Sequence, residues 1–403
     1  MARIQIVLLA LAAECLLILL AALVRPGWAM PWSRAPRRWK TTLIYAALTV
    51  AFVVAAVAFR KSTLDVALED PDGTTRLSIF DSTDARPDRR IGKLRHLQSL
   101  DLRHGKLRAL APEVATLREL REVNFEHNDL HDFPVELLQL PELTGIVLSH
   151  NKLVSVPSLS KLSKLEHLGL GNNDLLLLPA DLGSLQALNY LRLDGNRLSA
   201  LPDVLPPNLI MIDVSDNRLV RVPPPIYRLA RLNRLFLAGN QITRLEDQIG
   251  QLTQLELLDL DRNPLRARAG ATTTADVLPT TLATLEHLNH LSLAGCDLTE
   301  VPPLVRKLKQ LRYLTLANNP IREIPAWLAE LPLERLDLQN TRVASLPHVL
   351  ATRCPLDAEC LRVEGTPFGE HAQWTTANSE ASPTPVPPSD GGNSDGSVGA
   401  VTP

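Results

Sequence analysis

One pattern recurs at a fixed interval from about Leu94 to Pro347, and a chain that repeats itself at so short a period must stack its units one on the next. The clearest copy reads Leu185-Gln-Ala-Leu188-Asn-Tyr-Leu191-Arg-Leu193-Asp-Gly-Asn196-Arg-Leu198-Ser-Ala-Leu201-Pro202. Others begin at Leu94, Leu117, Leu140, Leu162, Leu229, Leu252, Leu285 and Leu308. One more enters with Leu209 in its second leucine position, and a weaker last copy runs from about Glu330. That makes eleven copies, most of them 23 residues apart.

Each part of the repeat has a physical reading. The Leu-x-Leu core (Leu191, Leu193) alternates apolar with polar residues, as a short strand with one buried face does. Such a strand is too short to stand alone. Stacked about 4.8 Å from its neighbours it joins a long parallel sheet, and the leucines of successive copies merge into one core. The asparagine follows where the chain leaves the strand, and its amide can satisfy backbone groups that the turn would bury unpaired. This series is Asn128, Asn151, Asn173, Asn196, Asn217, Asn240, Asn263 and Asn319. Cys296 stands in the same slot of its copy, where a small buried thiol fits. The pairs Leu178-Pro179, Leu201-Pro202 and Ile324-Pro325 open the return path, and proline there favours extended or short 3₁₀ pieces over a full helix.

The pattern L-x-x-L-x-x-L-x-L-x-x-N-x-L-x-x-L-P resembles that of the leucine-rich repeat superfamily, in its 23-residue class. The resemblance covers about 255 of 403 residues. It implies an α/β-type solenoid, a horseshoe with a parallel concave sheet and a 3₁₀ or extended convex side. For function it implies binding of a partner on the concave sheet and little more.

The chain's first sixty residues are of another kind. Ile4 to Val24 is an apolar run broken only by Gln5 and Glu14, and Leu43 to Phe59 is a second, apolar except for Thr49. At about 1.5 Å per residue each is long enough to cross a bilayer as a helix. Residues 25–40 link them with Arg25, Arg34, Arg37, Arg38 and Lys40, no acid, and three of the five tryptophans. Arginine with tryptophan beside apolar runs is what a membrane interface selects, and the basic link is expected on the cytoplasmic side. Two transmembrane helices (about 4–24 and 43–59) would then place the repeats in the periplasm or outside the cell. The competing reading is a cleaved signal peptide plus one anchor; a further alternative keeps the repeats cytoplasmic. Glu14 reads either as a contact to a partner subunit or as a tolerated snorkelling side chain. The absence of any Asn-x-Ser/Thr sequon favours a bacterial source.

Residues 62–93 read as an N-terminal cap. Leu64, Val66 and Leu68 alternate, Asp70-Pro71-Asp72-Gly73 is a turn, and Leu77 lies 23 residues before Leu100, so a hairpin that continues the sheet is expected. The repeats span 94–350, a C-terminal cap 351–375, and residues 376–403, rich in Ser, Pro, Gly and Asp, a disordered tail. Cys354 and Cys360 sit six apart in that cap and could form a disulfide in an oxidising compartment. The interval from Leu252 to Leu285 is 33 residues, and its extra sequence (Arg266, Arg268, Gly270, Thr272 to Thr274) is either a binding loop or a neutral insertion.

No catalytic grouping is present. The chain has no phosphate loop, no His-Glu-x-x-His and no paired Cys-x-x-Cys, so no cofactor and no metal are assigned. Asp259-Leu-Asp261-Arg-Asn263 begins like a calcium loop but lacks its glycine and glutamate, and strand and asparagine slots explain it better. His104, His127 and His150 share one solvent-facing slot in three successive copies and should stack, with a metal or pH-sensing role set against chance. A net charge of −2 gives no reason to expect nucleic acid. Alternation instead turns Tyr190, Arg192, Asp194, Asp213, Arg234, Phe236, Asp259 and Tyr313 outward on the concave face as candidate partner-binding residues. The expected function is a membrane-anchored module that binds another protein or an envelope component there, with lipid contacted through its two helices. The alternatives are an enzyme or secreted effector, for which no catalytic domain follows the repeats, and a structural or receptor subunit assembling through the helical hairpin.

Overall fold

The computed structural model describes residues 62–80, 87–265, 277–353 and 360–369. The apolar runs 4–24 and 43–59, the basic link 25–40, the insertion, Cys354 and the tail 376–403 lie outside the described residues. Among the described residues no helix is long and apolar enough to cross a membrane.

The described chain is a series of coils that share one parallel sheet. Thirteen strands follow in sequence order, each hydrogen-bonded to the next, from β1 (Arg76–Ser78) to β13 (Leu361–Arg362). Those used below are β2 (Ser99–Asp101), β3 (Glu122–Asn124), β4 (Gly145–Val147), β6 (Tyr190–Arg192), β7 (Met211–Asp213), β8 (Arg234–Phe236), β9 (Leu257–Asp259), β10 (His290–Ser292), β11 (Tyr313–Thr315) and β12 (Arg335–Asp337). Their register is unbroken: Leu191 faces Ile212, Ile212 faces Leu235 and Leu235 faces Leu258. These central residues are fully buried, as are Leu193, Val214, Leu237 and Leu260 two positions on. Burying each such side chain stabilises the fold by roughly 1.5–3 kcal/mol, and no single coil could gather enough of them alone.

The return side is built from short 3₁₀ turns, such as Pro112–Thr116, Pro224–Arg228, Pro303–Lys307 and Ala326–Glu330. Proline sits at or just before their starts (Pro223, Pro302, Pro325), where its fixed φ is compatible and its missing N–H has no partner to lose. Most of these turns bury a single residue, such as Val114, Val305 or Leu328, whereas Pro224–Arg228 buries Pro225, Ile226 and Tyr227.

The asparagines hold neighbouring coils together. Asn196 donates through Nδ2 to the carbonyls of Leu193 (3.0 Å) and of Leu170 in the preceding coil (3.0 Å), and its Oδ1 accepts the Leu175 N–H of that coil (3.0 Å). Asn128, Asn151, Asn173, Asn217, Asn240, Asn263 and Asn319 make the same bonds, all from buried positions. Cys296 reproduces only half of the clip. Its thiol donates to the Leu260 carbonyl at 3.2 Å, but nothing there accepts the Leu265 N–H, which turns back to the Asn263 carbonyl at 2.8 Å. The extra sequence of the lengthened interval begins directly after Leu265.

Two ends depart from the sequence reading. The alternation of Leu64, Val66 and Leu68 suggested a strand, but Thr63–Ala67 is a helix (α1). Ser62 and Asp65 form a capping box, the Ser62 Oγ accepting the Asp65 N–H at 3.1 Å, and this local signal outweighs a three-residue alternation. α1 buries Leu64 against the first edge, and β1 pairs with β2 with Leu77 opposite Leu100. At the other end α2 (His348–Arg353) is followed by β13, which adds Leu361 opposite Leu336. Leu361-x-Val363 followed by Gly365-Thr366 is a thirteenth, degenerate coil that a search for asparagine overlooks. Thr366 and Thr341 take the asparagine position, their hydroxyls donating to Val363 (2.6 Å) and Leu338 (2.8 Å).

Replacing Asn196 by Ala leaves the buried Leu175 N–H without its acceptor and takes one of two amide donors from each of the Leu193 and Leu170 carbonyls, and chemical denaturation is expected to show a loss of about 1–3 kcal/mol. Asn196→Thr, which keeps a donor to Leu193 as Thr341 does to Leu338, should lose distinctly less.

Candidate partner-binding surface

The first and third residues of each strand face away from the core, so parallel pairing lines them up in two rows across the concave face. One row runs Tyr190, Met211, Arg234, Leu257, His290, Tyr313 and Arg335. The other runs Arg192, Asp213, Phe236, Asp259, Ser292, Thr315 and Asp337. The structure therefore brings Tyr190, Arg192 and Asp194 together with Asp213, Arg234, Phe236 and Asp259 on four adjacent strands. Tyr190 is 37% exposed and sits on the His167 ring, with centroids 4.8 Å apart.

Tyr313 stands apart, two strands beyond Asp259. Its ring stacks on His290 at 4.0 Å and its hydroxyl donates to Glu334 at 2.6 Å, while Glu334 also pairs with Arg312 at 2.6 Å. That hydroxyl is already engaged, and the residue belongs to a separate aromatic pair.

Carboxylates dominate the centre of the patch. Burial, above all, and then the charges of Asp261 and Asp213 raise the Asp259 carboxyl to about 6, although it accepts the Asp261 N–H at 3.0 Å. Burial raises Asp213 as well, against the Ser215 N–H bond at 3.0 Å. Asp261 is raised by burial despite accepting from Ser292 Oγ (2.5 Å) and Ala294 N (2.7 Å). Asp194 has Arg192 Nε 3.5 Å from Oδ1, too far for a hydrogen bond, and that buried oxygen has none. These acids, at two-residue spacing and on neighbouring coils, share one partly buried, negative hollow of the concave face. Sequence alternation found Asp213 and Asp259 but ranked them no higher than any outward residue. Asp261 also turns outward by alternation, but only the register shows that Ser292 reaches back to it.

The free N–H and C=O groups of the turn impose one further feature. The residue ahead of each asparagine slot has left-handed backbone, with φ of 55° at His127, 53° at Asn172, 65° at Gly195 and 50° at Asp216. It accounts for the glycines and asparagines recurring there.

With that geometry in hand, the comparisons with known proteins are specific for the repeat. Residues 95–153 and 207–265 match the family model described as leucine rich repeat, and 286–329 the one described as leucine rich repeats in two copies. These segments are leucine-rich repeats. Leucine-rich repeats form protein-interaction modules, and neither matched model is a catalytic domain. No curated protein sequence matches the chain. Among solved structures it is similar to a leucine-rich repeat protein of Leptospira interrogans (22% identity, TM-score 0.56, covering 80% of this chain and 98% of that one). It is similar also to an internalin of Listeria monocytogenes (20% identity, TM-score 0.59, 80% and 88%). A third is the leucine-rich repeat ectodomain of the plant membrane receptor kinase GASSHO1/SCHENGEN3 from Arabidopsis thaliana in complex with Casparian strip integrity factor 2. There the identity is 25%, the TM-score 0.54, and the match covers 72% of this chain but only 38% of the ectodomain.

Asp259→Asn keeps the acceptor for the Asp261 N–H and removes a charge held in a partly buried hollow. A carboxyl whose pKa is raised by folding costs stability once it ionises, so the cost is absent below about pH 4 and grows as pH rises through 6. The variant is expected to unfold at a higher temperature than the parent at pH 7.5, by an amount worth up to about 3 kcal/mol, and at the same temperature at pH 4.

Proposed function

We propose that this protein is a membrane-anchored interaction module whose concave leucine-rich repeat surface binds a protein partner through β6 to β9. The partner sets a lysine or arginine into the hollow of Asp194, Asp213 and Asp259, against the rings of Tyr190 and Phe236. The observation that carries this reading is the run of partly buried acids along the concave face, Asp194 next to Asp213 and Asp213 near Asp259, with one Asp194 oxygen left without a hydrogen bond. Such groups gain from an incoming cation, whereas fully solvated acids gain little. The solved Arabidopsis ectodomain, which the chain resembles, is in complex with a protein factor, and that likeness supports a protein ligand over a polymer.

Anchoring rests on the apolar runs 4–24 and 43–59 and their basic link, which favour a helical hairpin with the repeats outside the cytoplasm. Cys360 is disulfide-bonded, and Cys354, six residues before it in the sequence, is its proposed partner; such a bond fits an oxidising compartment.

A photo-crosslinking side chain at Tyr190 in the full-length protein in cells is expected to give a partner adduct, and one at Val135 on the convex side none. Asp213→Lys with Asp259→Lys should remove the adduct while the protein stays folded, and Arg234→Glu should alter it. Equal adducts from both positions would place the partner elsewhere. Protease added to intact cells, or to spheroplasts where there is an outer membrane, should cleave the C-terminal tail. Protection until the membrane is lysed would put the repeats in the cytoplasm.

A further inference from the structure

Three successive coils fill the left-handed position with histidine: His104, His127 and His150, at φ of 57°, 55° and 55°. Asn172, Gly195, Asp216 and Asn318 occupy it elsewhere, so the backbone asks only for a residue that tolerates positive φ. Nothing in the turn calls for an imidazole. The three rings form one stack, His104 on His127 at 4.6 Å and His127 on His150 at 4.1 Å, with interplanar angles of 12° and 11°. Their backbones are held in place by the ladder, His127 N donating to Ser149 O (3.1 Å) and His150 N to Gly171 O (2.9 Å). Glu126 joins them from the rim of the sheet. One ligand atom from each of Glu126, His127 and His150 lies within 4.8 Å of the others.

We propose that Glu126, His127 and His150 bind a divalent transition-metal ion of the zinc class. Two imidazole nitrogens and a carboxylate oxygen are a donor set such ions prefer, and three protein ligands leave a position open to water or to a donor from a partner. A tetrahedral ion with bonds of about 2.0–2.1 Å needs its donors about 3.3 Å apart. Both imidazoles are exposed, so rotation of the rings about their own side-chain bonds closes that gap with no change in the backbone. His104 packs on the far face of His127 and stands outside the donor group. The site lies where β3 and β4 end, away from the acidic hollow, and does not depend on the partner proposed for it.

The test is isothermal titration of zinc chloride into the full-length protein, prepared without a polyhistidine tag and stripped of metal by chelator. One ion per chain is expected. His127→Asn with His150→Asn should weaken binding by about 100-fold or more, because even the loss of a supporting partner costs roughly 10- to 100-fold. Asparagine is the right replacement, since Asn172 and Asn318 already hold this backbone position, and unchanged circular dichroism and metal-free melting will show that the fold is kept. Glu126→Gln should weaken binding by about 10-fold or more, and His104→Asn by less than about 3-fold. Zinc binding of parental affinity in the double histidine variant would overturn the proposal, as would no heat at 100 μM zinc, a concentration roughly that of a weak adventitious site.

Discussion

Each coil buries the peptide groups at the exit of its strand, and no water reaches them there. Everything else in the structure depends on how those groups are satisfied. The asparagine amide does it with one side chain that both gives and accepts, reaching forward within its own coil and back into the one before. The stack is thus held by two independent ladders: backbone bonds between strands and amide bonds between turns. A leucine core alone would be content with several registers. The amide ladder permits one, because an asparagine shifted by a residue would turn away from the buried peptide groups and leave an N–H of the preceding coil without its acceptor. The exceptions show the same rule. Thr341 and Thr366 stand near the closing edge, where there is less to clip, and Cys296 clips only the Leu260 carbonyl of the coil before it.

A backbone that returns to the same conformation at every coil converts sequence spacing into spatial columns. The left-handed residue ahead of the amide slot is one such column, and its identity is free within the small set that tolerates positive φ. That freedom is what lets three histidines be brought into contact at no cost to the fold. The rows on the concave sheet are others. Burial is the first cause that raises Asp213, Asp259 and Asp261, and neighbouring charges add to it: Asp194 for Asp213, Asp261 and Asp213 for Asp259, and Asp337 for Asp261. The hollow they form is the part of the surface with most to gain from a positive group, and the aromatic rings of Tyr190 and Phe236 at its side supply apolar area to accompany it.

The repeat period and the Leu-x-Leu alternation made the sheet, its parallel sense and its 3₁₀ return legible in the chain, because both signals recur in register and each copy confirms the last. Single-copy signals served less well. Three alternating residues near Leu64 pointed to a strand, and a capping box of Ser62 and Asp65 made a helix instead. Leu361 and Val363 carry the strand signature, but without asparagine behind them they did not read as a coil.

The candidate surface divides in the same way. Which side chains face outward follows from a period of two, so Tyr190, Arg192, Asp213, Arg234 and Asp259 could be named from their positions alone. How those residues affect one another could not. Alternation carries no measure of how the coils pack, and that packing decides which acids are partly buried, which hydroxyl is spent on Glu334, and which Asp194 oxygen is left without a donor. The sequence by itself determined the repeat, its buried leucines and its amide ladder, since these are local patterns tied to backbone geometry. Only the tertiary structure decided where charge is concentrated and which rings meet, because solvent exclusion and contact between coils are properties of the stack and of no single repeat.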